Sequence, residues 1–548
     1  MKFDTPATSN PIDQLRVIGH PTQRIDGKLK TTGSAPYAYE RHDVVANQAY
    51  GVVVGAAIAK GRIAAMHLHA ARAAPGVIAI VTAETAGELG KGKHNTAKLL
   101  AGPDIEHYHQ AVALVVAETF EQARAGAELV TVDYDRSAGL FDLSTQRPAA
   151  KADGEAKEQT VGDFETAFAA APIQLDETYT TPDQTHAMME PFATIAAWEG
   201  DRVDVWTSNQ MIAWTHQDLA TTLGMEPDKV RVMSPFIGGG FGGKLFLRAD
   251  AVLAVLGARA ANRPVKVAMT RPMMANNATH RPATIQRVQI GATADGTITA
   301  MGHQTWSGNL PGGRAETASE QTKLLYAGAN RRIGTYVAEL DLPEGNSMRA
   351  PGEAPGMMAL EIAMDEMAEK LGLDPIEFRI INDTKVDPAH PERQFSQRQL
   401  VECLRTGAER FGWNERRKPG QRRDGRMMLG MGVAAGFRNN LLMKSGARVL
   451  LDEHGIVTVQ TDMTDIGNGS YTILAQTAAE MMGVGLDQVV VQLGNSDYPV
   501  SSGSGGQFGA NNSTSGVYAA CVKLREAVAQ KLGINSEDAV FQDGHVHA

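Results

Sequence analysis

The sequence predicts a multidomain protein of the α/β class, with helices and strands mixed along the chain (α+β mixed). Its 548 residues are too many for a single hydrophobic core, since cores stop growing at about 250–300 residues. Apolar runs of buried-strand type, among them "AYGVVVGAAIA", "AVALVVAE" and "PVKVAMT", alternate with helical runs such as "TFEQARAGAELV" and "MALEIAMDEMAEKLG". This alternation of hydrophobic periods is typical of sheets packed against helices.

Composition and charge exclude several classes of protein. Hydrophobic residues make up 43% and charged residues 21% of the chain, as in ordinary globular proteins. The formal net charge of -10, without a run of five or more like charges, argues against nucleic acid or an anionic membrane as the main partner. The two cysteines, Cys403 and Cys521, cannot supply a disulfide framework, a four-cysteine iron–sulfur site or a structural zinc site.

Three units follow one another along the chain. Residues 20–137 are predicted as a first α/β unit, and the polar, alanine-rich stretch 137–161 as a linker. The second unit, 162–414, alternates strand-like and helix-like runs. The third unit, 427–548, contains a hairpin in "GARVLLDEHGIVTVQTD" with its turn at 452–455, and a second strand pair begins in "AVFQDGHV".

A glycine-rich segment, "SPFIGGGFGGKLFLRAD", lies between an apolar run and a helix-like run. Five glycines occupy the positions from Gly238 to Gly243. Glycine loses backbone entropy on folding, roughly 0.5–1 kcal/mol relative to alanine in regular structure, and a tight turn needs only one or two. The density favours a ligand placed against the main chain. The alternative is a tight turn with close helix–sheet packing.

Two nucleotide-binding patterns fit this segment incompletely. Residues 238–244 match G-x-x-x-x-G-K, but Leu245 follows where a P-loop needs Ser or Thr to ligate magnesium. The same glycines match G-x-G-x-x-G, yet no Asp or Glu occurs over 251–294 to hold the ribose hydroxyls. The segment therefore favours a large anionic cofactor other than a magnesium nucleotide or NAD.

Other polar, glycine-rich loops adjoin apolar elements. They include "TPDQTHAMMEPFAT" with Gln184, "NSMRAPGEAPGMMALE" with Arg349 before a helix, and "AAGFRNN" with Arg438 after a small-residue strand. Two more, "TDIGNGS" and "SSGSGGQFGANNSTSG", lead into helices. Helix N-termini and exposed amides favour anions. Singly each loop is more often a turn or a cap, whereas together they indicate a cofactor contacted by many segments.

The motifs "GGGFGGK", "MRAPGEAPGMMALE", "TDIGNGSYTILAQTAAE" and "GSGGQFGANNSTSG" resemble the molybdenum-binding subunits of the xanthine dehydrogenase/aldehyde oxidase family. The resemblance covers the whole chain. It implies an α/β hammerhead domain over 20–137, followed by molybdopterin-binding domains over 162–414 and 427–548, the last incomplete. The implied cofactor is molybdopterin cytosine dinucleotide with molybdenum, and the metal would be held by the pterin rather than by protein side chains.

The resemblance also implies which residues contact this cofactor. Gln184 matches a glutamine that hydrogen-bonds an oxo ligand of molybdenum, and Arg349 and Ala350 match a loop under the metal. Backbone against the molybdenum end of the cofactor is implied for Gly239, Gly240, Phe241 and Gly242. Dinucleotide-binding loops are implied for two sets of residues, namely Gly467, Asn468 and Gly469, and Gly509, Ala510, Ser513, Thr514 and Ser515.

Two further positions bear on the substrate. Purine hydroxylases of the family carry Glu two residues after the last glycine of the loop, where this chain has Leu245. An apolar residue there resembles the aldehyde-oxidising branch, which converts aldehydes to carboxylic acids. Arg438 resembles an arginine beside the substrate, with a buried structural ion pair as the alternative.

The resemblance implies partner subunits as well. Electrons must leave the molybdenum centre, and this chain has no cysteine cluster or flavin motif, so we expect iron–sulfur and FAD subunits in a heterotrimer. The family's general-base glutamate lies in a "GVGE"-type motif that this sequence lacks, and neither Glu190 nor Glu353 is at its position. We therefore expect a C-terminally truncated chain that turns over no substrate by itself.

Two other functions stay open on the sequence alone. One is a non-catalytic fragment or assembly subunit, and the other is an unrelated nucleotide-binding enzyme. Because the N-terminus shows no export signal, we expect assembly in the cytoplasm. Co-export to the periplasm by a signal-bearing partner is the other destination that the resemblance implies.

Overall fold

The structure, a computed structural model, describes residues 11–153 and 158–547. The strands, in chain order, are β1 Ala49–Gly55, β2 Gly61–His67, β3 Val77–Thr82, β4 Asp104–Ile105, β5 Ala111–Ala117, β6 Thr131–Arg136, β7 Lys151–Ala152, β8 Gln159–Val161, β9 Ile173–Thr181, β10 Ala193–Glu199, β11 Arg202–Thr207, β12 Val230–Met233, β13 Val265–Ala268, β14 Thr284–Ala292, β15 Ile298–Asn309, β16 Asn330–Glu339, β17 Val386–Asp387, β18 His390–Gln394, β19 Arg422–Asp424, β20 Met427–Leu429, β21 Arg448–Leu451, β22 Val457–Thr461, β23 Val489–Leu493, β24 Val540–Gln542 and β25 His545–His547.

The α-helices are α1 Gly27–Thr31, α2 His69–Ala73, α3 Phe120–Glu128, α4 Leu143–Gln146, α5 Phe164–Ala170, α6 Ile212–Leu223, α7 Ala249–Ala261, α8 Arg271–Asn277, α9 Glu353–Leu371, α10 Pro375–Ile381, α11 Leu400–Phe411, α12 Ser470–Met482 and α13 Phe508–Leu532. Short 3₁₀ helices are Pro11–Gln14, Arg147–Ala149, Pro227–Lys229, Gln321–Lys323, Trp413–Glu415 and Leu486–Gln488.

The described residues group into two compact units. Unit 1 combines the segments up to residue 138, 186–279 and from 440 onward, and unit 2 combines 139–185 and 280–439. Each unit is therefore assembled from segments that are far apart in sequence.

Unit 1 is built on a seven-stranded sheet in the order β12-β11-β10-β13-β1-β5-β3. Strand β1 runs parallel to β13, with Ala49 opposite Val265, and antiparallel to β5, with Val52 opposite Val115. Every residue of β5 is buried, which explains its continuous apolar sequence. Helix α7 covers the sheet with the buried face that its uniform apolar run predicts.

A second layer of unit 1 contains the helices α12 and α13. They pack on the three-stranded sheet β21-β22-β23 around an apolar core that includes Val459, Leu474 and Val517. The predicted hairpin β21–β22 is confirmed, and its turn is closed by the bond from the Asp452 amide to the Ile456 carbonyl, 3.1 Å. The second predicted strand pair is also confirmed as β24–β25.

Unit 2 is built on an antiparallel and parallel sheet in the order β7-β16-β15-β14-β9, with β8 also paired to β16. Helix α9 packs on this sheet through Ala359, Ala363 and Met367. The stretch 137–161 was predicted as a linker, but β7 and β8 within it pair with β16. The backbone groups of β7 and β8 extend the sheet, and the polar, alanine-rich composition does not predict this pairing. Residues 154–157 of the stretch lie outside the described ranges.

Two other predictions differ from the structure. The segment over 430–447 contains no strand or helix, so Arg438 does not follow a strand. Residues 509–515 belong to the first two turns of α13 rather than to a loop. In the described part of the chain, no helix is both long enough and apolar enough to cross a membrane.

Candidate functional site

The glycine loop, Gly238–Gly243, lies in unit 1 between β12 and α7. Gly239 and Gly242 have φ values of 93° and 101°, in the region that favours glycine. Phe241 also has a positive φ, 54°, and its side chain is 40% exposed. A left-handed backbone costs a non-glycine residue about 1–2 kcal/mol. Such strain on an exposed aromatic residue is typical of a functional loop.

Close packing explains the other three glycines of the loop. A Cβ on Gly238 would lie 2.4 Å from Cβ of Glu190, and one on Gly240 would lie 2.3 Å from Oε1 of Gln210. A Cβ on Gly243 would approach the His186 ring to 2.9 Å. Contacts within unit 1 and backbone conformation thus account for all five glycines. The glycine density therefore does not by itself require a ligand.

Lys244, which completes the apparent phosphate-binding pattern, is a buried structural cation. Its side chain is 0% exposed, and its Nζ lies 2.9 Å from both Oε2 and the carbonyl oxygen of Glu190. Burial lowers the pKa of Lys244, although the Glu190 carboxylate opposes this change. The lysine faces a carboxylate instead of an open loop, so the P-loop alternative is wrong.

The same carboxylate organises the start of the glycine loop. The amide of Gly238 and the hydroxyl of Ser208 each donate to Oε2 of Glu190 at 2.7 Å. The dinucleotide-binding alternative also fails on geometry. Strand β12 is an edge strand, and residues 234–248 separate it from α7, whereas that motif needs a tight turn at the switch point of a sheet.

Gln210 connects three loops of unit 1. Its Oε1 accepts from the Gly242 amide at 3.1 Å, and its Nε2 donates to the Ser504 carbonyl at 2.7 Å. Its own carbonyl accepts from the Ser504 amide at 3.0 Å and the Thr464 hydroxyl at 3.4 Å. Because Gln210 is buried, these bonds fix the glycine loop relative to the loops that precede α12 and α13.

The loop Gly467–Gly469 is held by Asp465. Oδ1 of Asp465 accepts from the Gly467 amide at 2.9 Å, and Oδ2 accepts from the amides of Gly469 and Ser470 at 3.0 and 2.8 Å. These amides at the start of α12 are thus occupied by a carboxylate. Asn468 is exposed at the tip of the loop, with its Oδ1 accepting from the Ser470 hydroxyl at 3.0 Å.

The buried charge of Asp465 is matched by Lys30. The Asp465 side chain is 0% exposed, and Nζ of Lys30 lies 2.6 Å from its Oδ1 and 2.5 Å from Oδ2 of Asp26. Burial opposes protonation of Lys30, but the hydrogen bonds to Asp26 and Asp465 raise its pKa. Arg24 joins the group through a bond of 2.8 Å to the Gly467 carbonyl.

The segment that precedes α13 is folded inward. The Ser501 amide donates to Oδ1 of Asp462 at 2.6 Å, and burial raises the pKa of Asp462 to about 6. In the helix itself, the Ser513 hydroxyl contacts Sδ of Met463 at 3.2 Å. The hydroxyls of Thr514 and Ser515 donate to the carbonyls one turn earlier, those of Ala510 and Asn511.

These positions revise the second predicted dinucleotide loop. Gly509, Ala510, Ser513, Thr514 and Ser515 are helical, and the three hydroxyls bond within unit 1. The sequence "GANNSTSG" reads as a loop because Gly, Asn, Ser and Thr favour turns. The helix can bind an anion through the backbone amides of its first turn, because these amides have no partner within the helix.

Leu245 is half-buried next to the same segment. A Cβ placed on Gly505 would lie 3.3 Å from Cδ2 of Leu245 and 3.0 Å from the Phe508 ring. Leu245 and the Phe508 ring therefore form an apolar surface at this position.

In unit 2, Arg281 brings Gln184 and the loop around Arg349 together. Nη1 of Arg281 donates to Oε1 of Gln184 at 2.8 Å, and the two residues form an antiparallel bridge with amide–carbonyl distances of 3.0 Å. Nη2 donates to the carbonyls of Met348, at 3.0 Å, and Arg349. Arg281 is buried while Gln184 and Arg349 are exposed, so it holds both residues from the protein interior. Burial lowers the pKa of Arg281.

The turn before α9 is strained and tightly packed. Ala350 has a positive φ of 60° and Gly352 one of 74°. A Cβ on Gly352 would lie 2.5 Å from the Thr317 carbonyl oxygen, and the Gly352 amide donates to the Glu316 carboxylate. Burial raises the pKa of Glu316. As at Phe241, a strained non-glycine residue lies beside the predicted site.

Arg438 forms an ion pair with Glu353, at 3.2 Å between Nε and Oε1. The Arg438 side chain is 34% exposed and that of Glu353 is 14% exposed, so the pair is at the surface rather than deeply buried. The alternative stated for Arg438 is a buried ion pair, whereas the observed pair is partly exposed and leaves the guanidinium accessible.

Buried polar atoms without hydrogen-bond partners occur in both units. Within the described ranges they include Ser502 Oγ in unit 1 and Glu353 Oε2 and Arg281 Nε in unit 2. An unsatisfied buried group costs about 1–3 kcal/mol, and a bound ligand or water can satisfy it. The donor chemistry around them, amides and guanidinium groups, suits a cofactor with phosphates and a pterin.

Comparison with known proteins decides the family. Residues 32–138 match the model of the aldehyde oxidase and xanthine dehydrogenase a/b hammerhead domain, and residues 146–383 and 406–548 match models of molybdopterin cofactor-binding domains. Over all 548 residues the chain is 63% identical to the aldehyde oxidoreductase molybdenum-binding subunit PaoC of Escherichia coli K12, and it covers 75% of that protein. The chain belongs to the xanthine dehydrogenase/aldehyde oxidase family, as a molybdenum-binding subunit.

Other members of the family are more distant. The putative xanthine dehydrogenase molybdenum-binding subunit XdhA of E. coli K12 is 30% identical over 92% of this chain and 70% of its own length. Quinoline 2-oxidoreductase from Pseudomonas putida 86 has the same fold, with a TM-score of 0.86 at 21% identity over 97% of this chain and 74% of that one. The mixed α/β fold with hammerhead and molybdopterin-binding domains is thereby confirmed.

Three residues that organise this family member's loops were not found from the sequence: Gln210, Arg281 and Asp465. Asp465 gives a usable signal, because an Asp two residues before Gly467 is the pattern in which a carboxylate caps following amides. Gln210 and Arg281 give none. Their roles depend on contacts with residues that are distant in sequence, such as Ser504 and Met348.

Proposed function

We propose that this chain is the molybdenum-cofactor subunit of an aldehyde oxidoreductase. The observation that carries the proposal is the 63% identity to PaoC over all 548 residues. The apolar Leu245 beside the glycine loop supports the aldehyde class, since this half-buried side chain offers no hydrogen-bond partner for the polar edge of a purine. The reaction converts an aldehyde and water into a carboxylic acid, two protons and two electrons.

The bound cofactor supplies the two-electron redox chemistry. The proposed form is molybdopterin cytosine dinucleotide. Its contacts in unit 1 are the backbone of the glycine loop, the exposed tip at Asn468 between Gly467 and Gly469, and the first-turn amides of α13 at Gly509 and Ala510. All three contacts use neutral donors. The two loops are fixed by the bonds of Gln210 and Asp465, and the third contact is the start of a helix, so binding needs little reorganisation.

The residues of unit 2 have complementary roles in the proposal. Gln184 presents its amide at a position fixed by Arg281, and the loop Arg349–Ala350 is held by the same guanidinium. Arg438 is proposed to contact a polar substrate group, and its ion pair with Glu353 would hold its side chain for that role. None of these groups needs to change protonation for the role assigned.

Two partner subunits complete the proposed enzyme. Electrons must leave the molybdenum centre, so iron–sulfur and FAD subunits are proposed to receive them. No general base is proposed among residues 1–548, since the family's motif for it is not in this sequence.

The test is to purify the native complex from its source and measure molybdenum, CMP released by acid hydrolysis, and substrate-dependent reduction of an artificial electron acceptor. We expect about one molybdenum and one CMP per chain, and activity with aldehydes but not with hypoxanthine. Molybdenum without CMP would correct the cofactor form. Activity with hypoxanthine but not with aldehydes would overturn the substrate class.

A further inference from the structure

We propose that unit 1 contains a second ligand site, a pocket for a small oxyanion under the glycine-rich segment 87–102. The pocket has a volume of about 210 Å³. Its lining has an apolar part, with Leu89, Leu99 and Leu100, and a polar part, with Lys91, Asn95, Lys98 and Thr222. Nothing in the proposed aldehyde chemistry uses these residues.

The first observation is an unsatisfied amide. Asn95 is 6% exposed, and its Oδ1 accepts from Nη1 of Arg248 at 3.1 Å. Because the guanidinium is only a donor, this bond fixes the orientation of the amide. Nδ2 is then turned away from Arg248, which does not line the pocket. Within residues 11–153 and 158–547, Nδ2 has no hydrogen-bond partner.

The second observation is the charge of the lining. Lys91 and Lys98 line the pocket and are exposed to solvent. Across the described residues, neither ammonium group forms an ion pair with a protein carboxylate, and no Asp or Glu lines the pocket. The two nearby carboxylates, Asp218 and Glu106, accept from backbone amides of the segment and do not line the pocket. The two lysines and the unsatisfied Asn95 donor in the lining therefore favour a negatively charged ligand.

The third observation is that the pocket is preformed. A Cβ on Gly90 would lie 2.4 Å from the Thr221 carbonyl oxygen, and one on Gly92 would lie 2.8 Å from the Asp218 carboxylate. Asp218 accepts from the amides of Lys93 and His94 at 2.9 and 3.1 Å. The segment is thus fastened onto α6 by close packing and by bonds to a buried carboxylate, so little ordering is needed on binding.

The ligand class follows from size and charge. The volume accommodates phosphate or a short carboxylate together with ordered water, but not a nucleotide. The shared chemistry is a small oxyanion that accepts from the Asn95 amide and is neutralised by Lys91 and Lys98.

The test is calorimetric titration of the purified full chain with inorganic phosphate, and separately with acetate, at constant ionic strength set with sodium chloride. We expect saturable binding of at least one of the two. Asn95→Asp keeps an acceptor for Arg248 and replaces the donor with a second oxygen, so affinity should fall by at least about tenfold. Lys91→Met with Lys98→Met should have a similar effect without touching the buried part of the pocket.

The matched control is Lys93→Met, a lysine of the same segment that does not line the pocket. Its affinity should stay within about twofold of the wild type, as expected of an exposed charge outside the site. A response to both anions no larger than that to chloride overturns the proposal. An equal loss of affinity in the Lys93 variant and the double lysine variant also overturns the proposal. This comparison holds even if the Asn95 variant fails to fold.

Discussion

The Lys244 ammonium and the Glu190 carboxylate form a buried ion pair of 2.9 Å at the base of the glycine loop. The lysine therefore supports the loop from inside the protein. A G-x-x-x-x-G-K pattern can thus encode a structural cation, and the residue after the lysine is the better guide to a phosphate site.

Lys244→Met should destabilise the protein by about 3–5 kcal/mol, because Glu190 would be left as an uncompensated buried charge. The measurement is the free energy of unfolding in urea. The control is Lys229→Met, which removes an exposed lysine paired with Asp201 and should leave the free energy of unfolding close to that of the wild type, because exposed pairs are screened by solvent. Equal effects of the two variants would contradict the role given to Lys244.

Lys30→Met should lower stability by about 2–4 kcal/mol, because it removes the closest cation from the buried carboxylate of Asp465. It should also lower the CMP content of the native complex, since Asp465 holds the loop Gly467–Gly469. Lys28→Met, in the same short helix but exposed, is the control. A Lys30 variant that is destabilised yet keeps its full CMP content would show that the loop does not bind the dinucleotide.

Arg281→Lys should reduce aldehyde turnover by about 10–100-fold, the usual effect of losing a residue that orients a cofactor ligand. Lysine cannot bond Gln184 and the Met348 and Arg349 carbonyls together. Turnover per bound molybdenum separates misplacement from loss of the metal. Arg287→Lys, in the exposed pair with Asp176 on the same sheet, should retain activity.

Arg438→Met distinguishes the two roles stated for this residue. Its pair with Glu353 is partly exposed, so loss of the pair should change stability by less than about 1 kcal/mol. If Arg438 contacts substrate, KM for aldehydes should rise while the thermal midpoint stays near that of the wild type. A lower midpoint with unchanged KM would assign Arg438 a structural role. Arg422→Met, which loses an exposed pair with Glu415, is the matched control.

Asp462 predicts a specific pH dependence. Burial raises its pKa to about 6, above the unfolded value of about 3.9, so the folded state favours the protonated form. Its contribution to stability is fully present below pH 4 and is lost as the pH rises through 6. Asp462→Asn should therefore stabilise the protein by up to about 2–3 kcal/mol at pH 8 and have little effect near pH 4.

Unfolding of this variant in urea at the two pH values checks the sign. Asp487→Asn, at an exposed position, should show no such difference. A variant less stable than the wild type at pH 8 would contradict the assignment.

Periodicity predicted individual elements well. The continuous apolar sequence of β5 and the turn residues between β21 and β22 each have a local physical cause. The pairing of β7 and β8 with β16 has no such local cause, because these short polar strands become strands only by pairing with a partner that is distant in sequence. In the same way Gly467 and Arg349 are visible as motif residues, whereas Gln210 and Arg281 become visible only when distant loops are brought together.

The seven-stranded sheet has a consequence for biosynthesis. Strand β1 gains its parallel neighbour only at Val265–Ala268, more than two hundred residues later in the chain. Until translation reaches that point, the nascent sheet β1-β5-β3 has an open apolar edge, which invites pairing with other chains. Chaperone protection during synthesis is therefore expected to matter most before residue 268 emerges from the ribosome.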